Sequence, residues 1–211
     1  MNDSRALRIR IIATAREMNA LDINRGKSGN VSARIDSGFL ITPSALPYDE
    51  TKPEDVVSVD FGGKATGRRK PSSEWRFHRD IYAARPEVRA IVHAHSPFAT
   101  ALACLNRGIP AFHYMIAVAG GDDIRCAPYA TFGTQLLSDH ALRALQDRKA
   151  CLLAHHGMIA VGESLDAALA LAVEVEALAE MYWRATQVAE PAILTHQEMN
   201  EVLARFATYK A

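Results

Sequence analysis

Cysteine is scarce in this 211-residue chain, and the three present, Cys104, Cys126 and Cys151, are odd in number and nowhere form a C-x-x-C pair. That excludes a disulfide framework, a cysteine zinc ribbon and a dithiol redox motif. The thiols lie in apolar stretches, and the expectation is buried, reduced side chains. Net charge is also missing: 24 basic residues balance 24 acidic ones, and the longest basic run is "GRRK" at 67–70. Neither a nucleic-acid partner nor an anionic membrane is expected. The opening "MNDSRALRIR" has no apolar signal core. The longest apolar stretch, "LDAALALAVEVEALAEMYW", is cut by Glu174, Glu176 and Glu180, which disqualifies it as a membrane span. Linkers, repeats and low-complexity segments are absent too. The chain therefore reads as one soluble cytoplasmic domain over residues 1–211, with an ordinary 49% hydrophobic and 23% charged composition.

What is present alternates between helix and strand signals. Ser4 followed by Leu7, Ile11, Ile12, Ala15, Met18 and Leu21 predicts a capped amphipathic helix over 4–21. "VSARI" and "GFLIT" around Asp36-Ser37-Gly38 predict a hairpin, and "VVSVDF" (56–61) another strand. "PSSEWRFHRDIYAARP" (71–86) predicts a helix, 90–95 a strand, and Pro97–Asn106 a helix. "HYMIAVAGG" and "IRCAPYA" read as strands, "TQLLSDHALRALQDR" as a helix, and "ACLLAHHGMIAV" as a strand pair or bent strand. A long helix from Ser164 to about Val188, a break at Pro191 and a short helix from Gln197 to about Ala207 complete the chain. The mixture indicates an α/β class.

The chemistry concentrates in histidines. In "AIVHAHSPFATALA", His93 and His95 sit two residues apart on a strand, so both point to one face with Cα atoms about 7 Å apart. That is bite distance for one ion, and Zn²⁺ takes imidazole and carboxylate donors with Zn–N of about 2.0–2.1 Å. An isolated H-x-H also occurs by chance in many proteins, and two ligands do not make a site. "LAHHGM" offers His155 and His156 as a third. A regular strand would turn them to opposite faces, and the side-chain-free Gly157 favours His156. His78, His113, His140 and His196 have no such partners in the sequence and read as structural.

Glu74 follows Ser72 and Ser73 at a helix start, where free N–H groups and the helix dipole favour anions. The plain reading is a stabilising acidic residue behind ordinary caps. The functional one is a phosphate held by Ser72 and Ser73, with Glu74 acting on the carbon skeleton beside a metal.

These segments resemble the class II aldolase and adducin superfamily, and within it most closely the bacterial L-fuculose-1-phosphate aldolases. "GKSGNVSAR", "FLITPSALPY", "PSSEWRFH", "AIVHAH", "AFHYMIAVAGG", "CAPYATFGT" and "LLAHHGMIAVG" carry the resemblance, in the family's order, over about residues 7–209. It implies a three-layer α/β/α sandwich around a mixed, mainly antiparallel sheet, assembled as a homotetramer with active sites at subunit boundaries. It implies Zn²⁺ on His93, His95 and His156, with Glu74 near or on the metal and acting as acid/base. Gly29, Asn30, Ser44, Ser72 and Ser73 would bind the phosphate. Tyr114 would reach across an interface to the hydroxyl proton, and Tyr209 would close over the aldehyde half.

The implied activity is reversible cleavage of a ketose 1-phosphate, L-fuculose 1-phosphate or a 5-deoxypentulose 1-phosphate, to dihydroxyacetone phosphate and an aldehyde. A Schiff-base aldolase is disfavoured, because Lys27, Lys52, Lys64, Lys70, Lys149 and Lys210 all occupy polar or terminal contexts. Two departures bear on substrate: Ala45 stands where the family commonly has glycine, and the tail "TYKA" is short. An aldolase for 5-methylthioribulose 1-phosphate or 5-deoxyribulose 1-phosphate is the alternative. A superfamily dehydratase or epimerase, and a non-catalytic adducin-like binding domain, are the remaining rivals.

Overall fold

A computed structural model describes residues 3–208. Its eight described strands form one sheet in the order β4-β3-β2-β1-β5-β8-β7-β6. They are β1 (Asn30–Ile35), β2 (Gly38–Ile41), β3 (Val57–Asp60), β4 (Ala65–Thr66), β5 (Ala90–Ala94), β6 (Cys126–Ala127), β7 (Ala150–Leu153) and β8 (Gly157–Gly162). Neighbours pair antiparallel except β6 with β7, which run parallel. The six described α-helices are α1 (Arg5–Ala20), α2 (Trp75–Ala84), α3 (Pro97–Cys104), α4 (Gln135–Ala144), α5 (Leu165–Thr186) and α6 (His196–Thr208).

Strand alternation sorts the core into two layers. Val31, Ala33, Val92, Ala94, Met158 and Ala160 face α1, α3 and α5. Phe39, Ile41, Ile91, Ile159 and Val161 face α2 and α4. With helices on both faces, the chain is a three-layer α/β/α sandwich around a mixed, mainly antiparallel sheet. None of the described helices is long and apolar enough to cross a membrane.

Local chemistry explains the element ends. Ser4 and Ser164 accept hydrogen bonds from Leu7 N and Ala167 N as N-caps of α1 and α5. Inside the protein, Glu176 of α5 accepts from Phe98 N and Ala99 N (2.7 and 2.9 Å), a buried carboxylate capping α3 just beyond His95.

Several expectations need correction. The stretch 71–86 is not helical throughout: Pro71 bridges Pro43, and Ser72 N donates to Thr42 O, which holds 70–72 extended until α2 begins at Trp75. "HYMIAVAGG" is a 3-10 helix, Tyr114–Ala119, not a strand. The His113 ring accepts from Met115 N at its start, and left-handed Gly120 ends it. Within "IRCAPYA" Cys126–Ala127 forms the strand and Ile124 makes an isolated bridge to Ile109; Pro128 has no N–H to extend the ladder. The thiols are free but not uniformly buried: Cys104 is exposed, Cys126 half-buried and Cys151 buried. Cys104 lies at the end of a short helix, where its side chain falls outside the apolar face.

Candidate metal centre and active site

Sheet register assembles the site. Asn30 of β1 lies opposite His93 of β5, which in turn lies opposite Ile159 of β8. His93 and Asn30 therefore stand on the α2 side of the sheet, facing the carboxylate at the start of α2. His95 follows the end of β5. β7 and β8 meet in a tight hairpin whose turn is Ala154-His155-His156, with Leu153 opposite Gly157. His155 takes a left-handed φ of 56°, so a turn, not strand alternation, separates the two imidazoles. A Cβ on Gly157 would sit 2.5 Å from Ala94 O and 3.0 Å from the His95 ring. Only glycine lets the hairpin approach β5 this closely.

The result is a four-donor cluster. Glu74, His93, His95 and His156 offer ligand atoms all within 4.8 Å of one another. The three rings stand pairwise 4.9 Å apart and nearly perpendicular, at 74–80°. Glu74 Oε2 is 3.1 Å from His93 Nε2, and Glu74 Oε1 is 3.1 Å from His156 Nε2. His93 Nδ1 lies 2.8 Å from Met158 O; that bond puts the proton on Nδ1 and leaves Nε2 as a donor towards the cluster.

These residues fit a divalent cation. Glu74 Oε1 is buried and makes no hydrogen bond, a costly state for a carboxylate oxygen that a cation would relieve. Burial alone would raise the Glu74 pKa, but His93 and His156 outweigh it and hold the carboxyl well below its usual range. Burial, with His93 and His156 nearby, pushes His95 down to about 3, leaving a neutral imidazole with its lone pair free. On His93 burial opposes the proton, yet the Glu74 charge more than offsets this and raises the pKa. Neutral imidazoles with one carboxylate are the donor set of zinc and related metals.

The serine loops lie next to the cluster. Ser44 N donates to Lys70 O and Ser72 N to Thr42 O, which brings the segments holding Ser44, Ser72 and Ser73 side by side. Ser72 is buried and its Oγ accepts from Glu74 N, whereas Ser44 and Ser73 are exposed. Gly29 packs so tightly that a Cβ would lie 2.4 Å from His93 O, and the buried Tyr48 hydroxyl donates to Gly29 O. Asn30 is fully engaged: Nδ2 donates to Ser72 Oγ and Glu74 Oε2, both at 3.0 Å. A cavity of ≈ 360 Å³ opens over the cluster, with Glu74, His95, His156, Ser28 and Ser73 in its wall and Tyr129 and Phe132 at its mouth.

Tyr114 is not there. It stands half exposed on its 3-10 helix in a different cavity, beside Met115 and Arg205, with its ring 6.5 Å from and parallel to that of Phe206 in α6. Tyr209 lies outside the described residues. His78, read from sequence as structural, instead contacts the site's own support: its Nε2 lies 2.5 Å from Asn30 Oδ1. Its place one turn after Glu74 is the signal that could have found it. Asn24, which accepts from His95 N at 3.3 Å, carried no signal in sequence.

Comparison with known proteins adds four findings. Residues 9–183 match the family described as Class II Aldolase and Adducin N-terminal domain. The chain is 60% identical to a 5-methylthioribulose-1-phosphate/5-deoxyribulose-1-phosphate aldolase of Rhodospirillum rubrum, across 97% of this chain and 92% of that one. It is 50% identical to an L-fuculose phosphate aldolase of Escherichia coli K12, across 94% and 93%. Its fold superposes on a solved L-fuculose 1-phosphate aldolase with a TM-score of 0.94 at 39% identity, covering 98% of both chains.

Proposed function

The chain belongs to the class II aldolase and adducin family, and from that premise we propose that it is a metal-dependent aldolase, a lyase that cleaves ketose 1-phosphates. The observation that carries this reading is the convergence of Glu74, His93, His95 and His156 beside the serine loops. A non-catalytic binding domain has no use for such a cluster.

His93, His95 and His156 would hold Zn²⁺, with Glu74 on or beside it. When bound, the ion supplies Lewis-acid stabilisation of the negative charge that bond cleavage leaves on the substrate oxygens. The chain's own residues do the rest. Gly29, Asn30, Ser44, Ser72 and Ser73 would bind the phosphate, and Asn30 also ties Ser72 to Glu74, so the phosphate end and the reacting end share one rigid support. Tyr114 of a neighbouring subunit takes the hydroxyl proton as the bond between carbons three and four breaks. Glu74, having taken up a proton from solvent, then delivers it to carbon three of the enediolate, giving dihydroxyacetone phosphate and an aldehyde, and Tyr114 returns its proton to solvent. In the aldol direction both transfers reverse.

Tyr114, exposed and apart from the cluster, supports a homotetramer in which it serves the next subunit, and Tyr209 would close over the aldehyde. Both apolar layers pack on the same sheet, which supports a single domain over residues 1–211. Three free cysteines, one exposed, suit the reducing cytoplasm.

For the substrate we favour 5-methylthioribulose 1-phosphate or 5-deoxyribulose 1-phosphate over L-fuculose 1-phosphate. The higher identity to the Rhodospirillum enzyme supports this, as do the exposed Tyr129 and Phe132 rings, which suit an aldehyde with an apolar end. The test is a coupled assay of dihydroxyacetone phosphate released by zinc-loaded protein from all three sugars. The expected result is release from each, with the highest kcat/KM on the two 5-deoxy compounds. Release from none overturns the aldolase reading, and loss of water without cleavage would make it a dehydratase.

A further inference from the structure

Behind the cluster, between the sheet and α2, runs a line of buried polar groups that the chemistry above does not use. Tyr82 Oη lies 2.8 Å from Ser32 Oγ, and Ser32 Oγ lies 2.7 Å from His78 Nδ1. His78 Nε2 meets Asn30 Oδ1, whose Nδ2 meets Glu74 Oε2. Tyr82, Ser32, His78 and Asn30 are each at most 2% exposed, so their hydrogen-bonding groups must be met inside the protein. Phe77 stacks on the His78 ring at 4.6 Å and Phe39 lies 6.4 Å away on a nearly parallel plane.

Proton positions along this line follow from one end. A carboxylate only accepts, so Asn30 must turn its NH₂ towards Glu74. Its carbonyl oxygen then faces His78, which must carry hydrogen on Nε2. Burial pushes the His78 pKa down to about 3, with His93 adding to the effect, so the ring is neutral and Nδ1 accepts. Among the described residues Nδ1 takes its hydrogen bond from the Ser32 hydroxyl, whose oxygen then accepts from Tyr82. Every donor points the same way, from the phenol to the carboxylate. Such a buried chain is strong only when each member is satisfied, and reversing one member leaves two acceptors facing each other.

We propose that His78 is a positioning residue for Glu74: held by Ser32 as the neutral Nε2–H tautomer, it locks the Asn30 carboxamide with its N–H on the Glu74 carboxylate. The proposal rests on the reading that Glu74 stands at the metal and moves a proton. Without His78 the Asn30 amide is free to rotate. Its oxygen can then face Glu74 Oε2, repelling the carboxylate from its place beside His93 and His156. The lock acts first on the reacting end: the sugar phosphate keeps its contacts to Gly29, Ser44 and Ser73, and only Asn30 and Ser72, joined through the same NH₂, are shared between the two ends.

The test has two arms on the full-length zinc-loaded protein. In the first, ¹⁵N–¹H correlation spectra of histidine-labelled protein are recorded between pH 6 and 9, with the His78 signal identified by its absence in His78→Gln. The Nε2–H tautomer throughout is expected; an Nδ1–H tautomer or an imidazolium overturns the proposal. In the second, His78→Leu removes the donor, while His78→Gln offers an N–H in its place. Expected for His78→Leu is a kcat lowered about 10- to 100-fold with KM within about threefold and zinc per chain retained. His78→Gln should recover kcat to within about threefold of wild type. Equal losses in the two variants, or a folded His78→Leu with kcat within twofold, overturn it. Should His78→Leu fail to fold, the tautomer decides. Wild-type protein that cleaves none of the sugars refutes the aldolase reading alone, and the tautomer arm still judges the lock.

Discussion

The metal cleft and the Tyr114 face are built on opposite plans. In the cleft every side chain is fixed by something rigid: His93 by the Met158 carbonyl, His156 by a three-residue hairpin turn, Glu74 by the first turn of α2 and the Asn30 amide. Its four donors already converge within one chain. Tyr114, by contrast, sits on a short 3-10 helix, 51% exposed, against a helix that ends the described chain. The difference is physical. Holding a multivalent cation requires donors whose repulsion and desolvation are met by the fold in advance. A group that must reach into another subunit's site has to remain at the surface until that subunit arrives.

The harshest way to break the comparison is to remove a cleft donor. His156→Ala should leave less than about a tenth of the wild-type zinc and lower cleavage at least about 100-fold. His155→Ala should keep its zinc, because His155, exposed at the rim of the same cavity, turns its ring to Asn106 and Tyr129 and lies outside the four-donor cluster. Zinc content by atomic absorption decides it, and equal zinc in the two variants would refute the assignment of His156.

A second test, which lowers activity but leaves the metal in place, probes the other side. Tyr114→Phe should keep zinc and lower kcat by about 10²- to 10⁴-fold, as loss of a positioned acid/base does. Coexpressing Tyr114→Phe with His156→Ala then asks whether the cleft borrows its tyrosine. In a ring of randomly mixed chains about a quarter of the sites pair an intact cleft with an intact Tyr114, so roughly that share of wild-type activity should return. No recovery in verified mixed oligomers would mean that Tyr114 does not act across an interface.

How much of this was legible in sequence divides along the same line. That His93 and His95 share a face follows from strand alternation, and the preference for His156 over His155 from its glycine neighbour, because those signals are local; that the three share one ion came from the resemblance. The sheet order and the Asn30–His93 register are not local, so the polar line through Ser32 and His78 was invisible: its partners lie 46 and 48 residues apart. "HYMIAV" was misread because a short apolar run carries no periodicity that separates a strand from a 3-10 helix. The feature that decides, a histidine ring capping Met115 N, is a tertiary detail. Cys104 was misjudged for a similar reason, since a helix of eight residues exposes a face even within an apolar stretch.

The mildest test concerns what the cleft's rigidity costs. Ala45 has a left-handed backbone with φ of 59°, and its carbonyl accepts from Lys27 Nζ at 3.1 Å. The residue beside Ser44 therefore bears strain of about 1–2 kcal/mol, as any L-residue does there. Ala45→Gly relieves that strain but adds about 0.5–1 kcal/mol of unfolded-chain entropy. A net gain of about 0.5 kcal/mol is expected in chemical denaturation, with KM for the sugar phosphate changed less than twofold. A large shift in KM would instead mean that the Ala45 methyl group touches the phosphate, and that this edge of the cleft selects substrate as well as holding its shape.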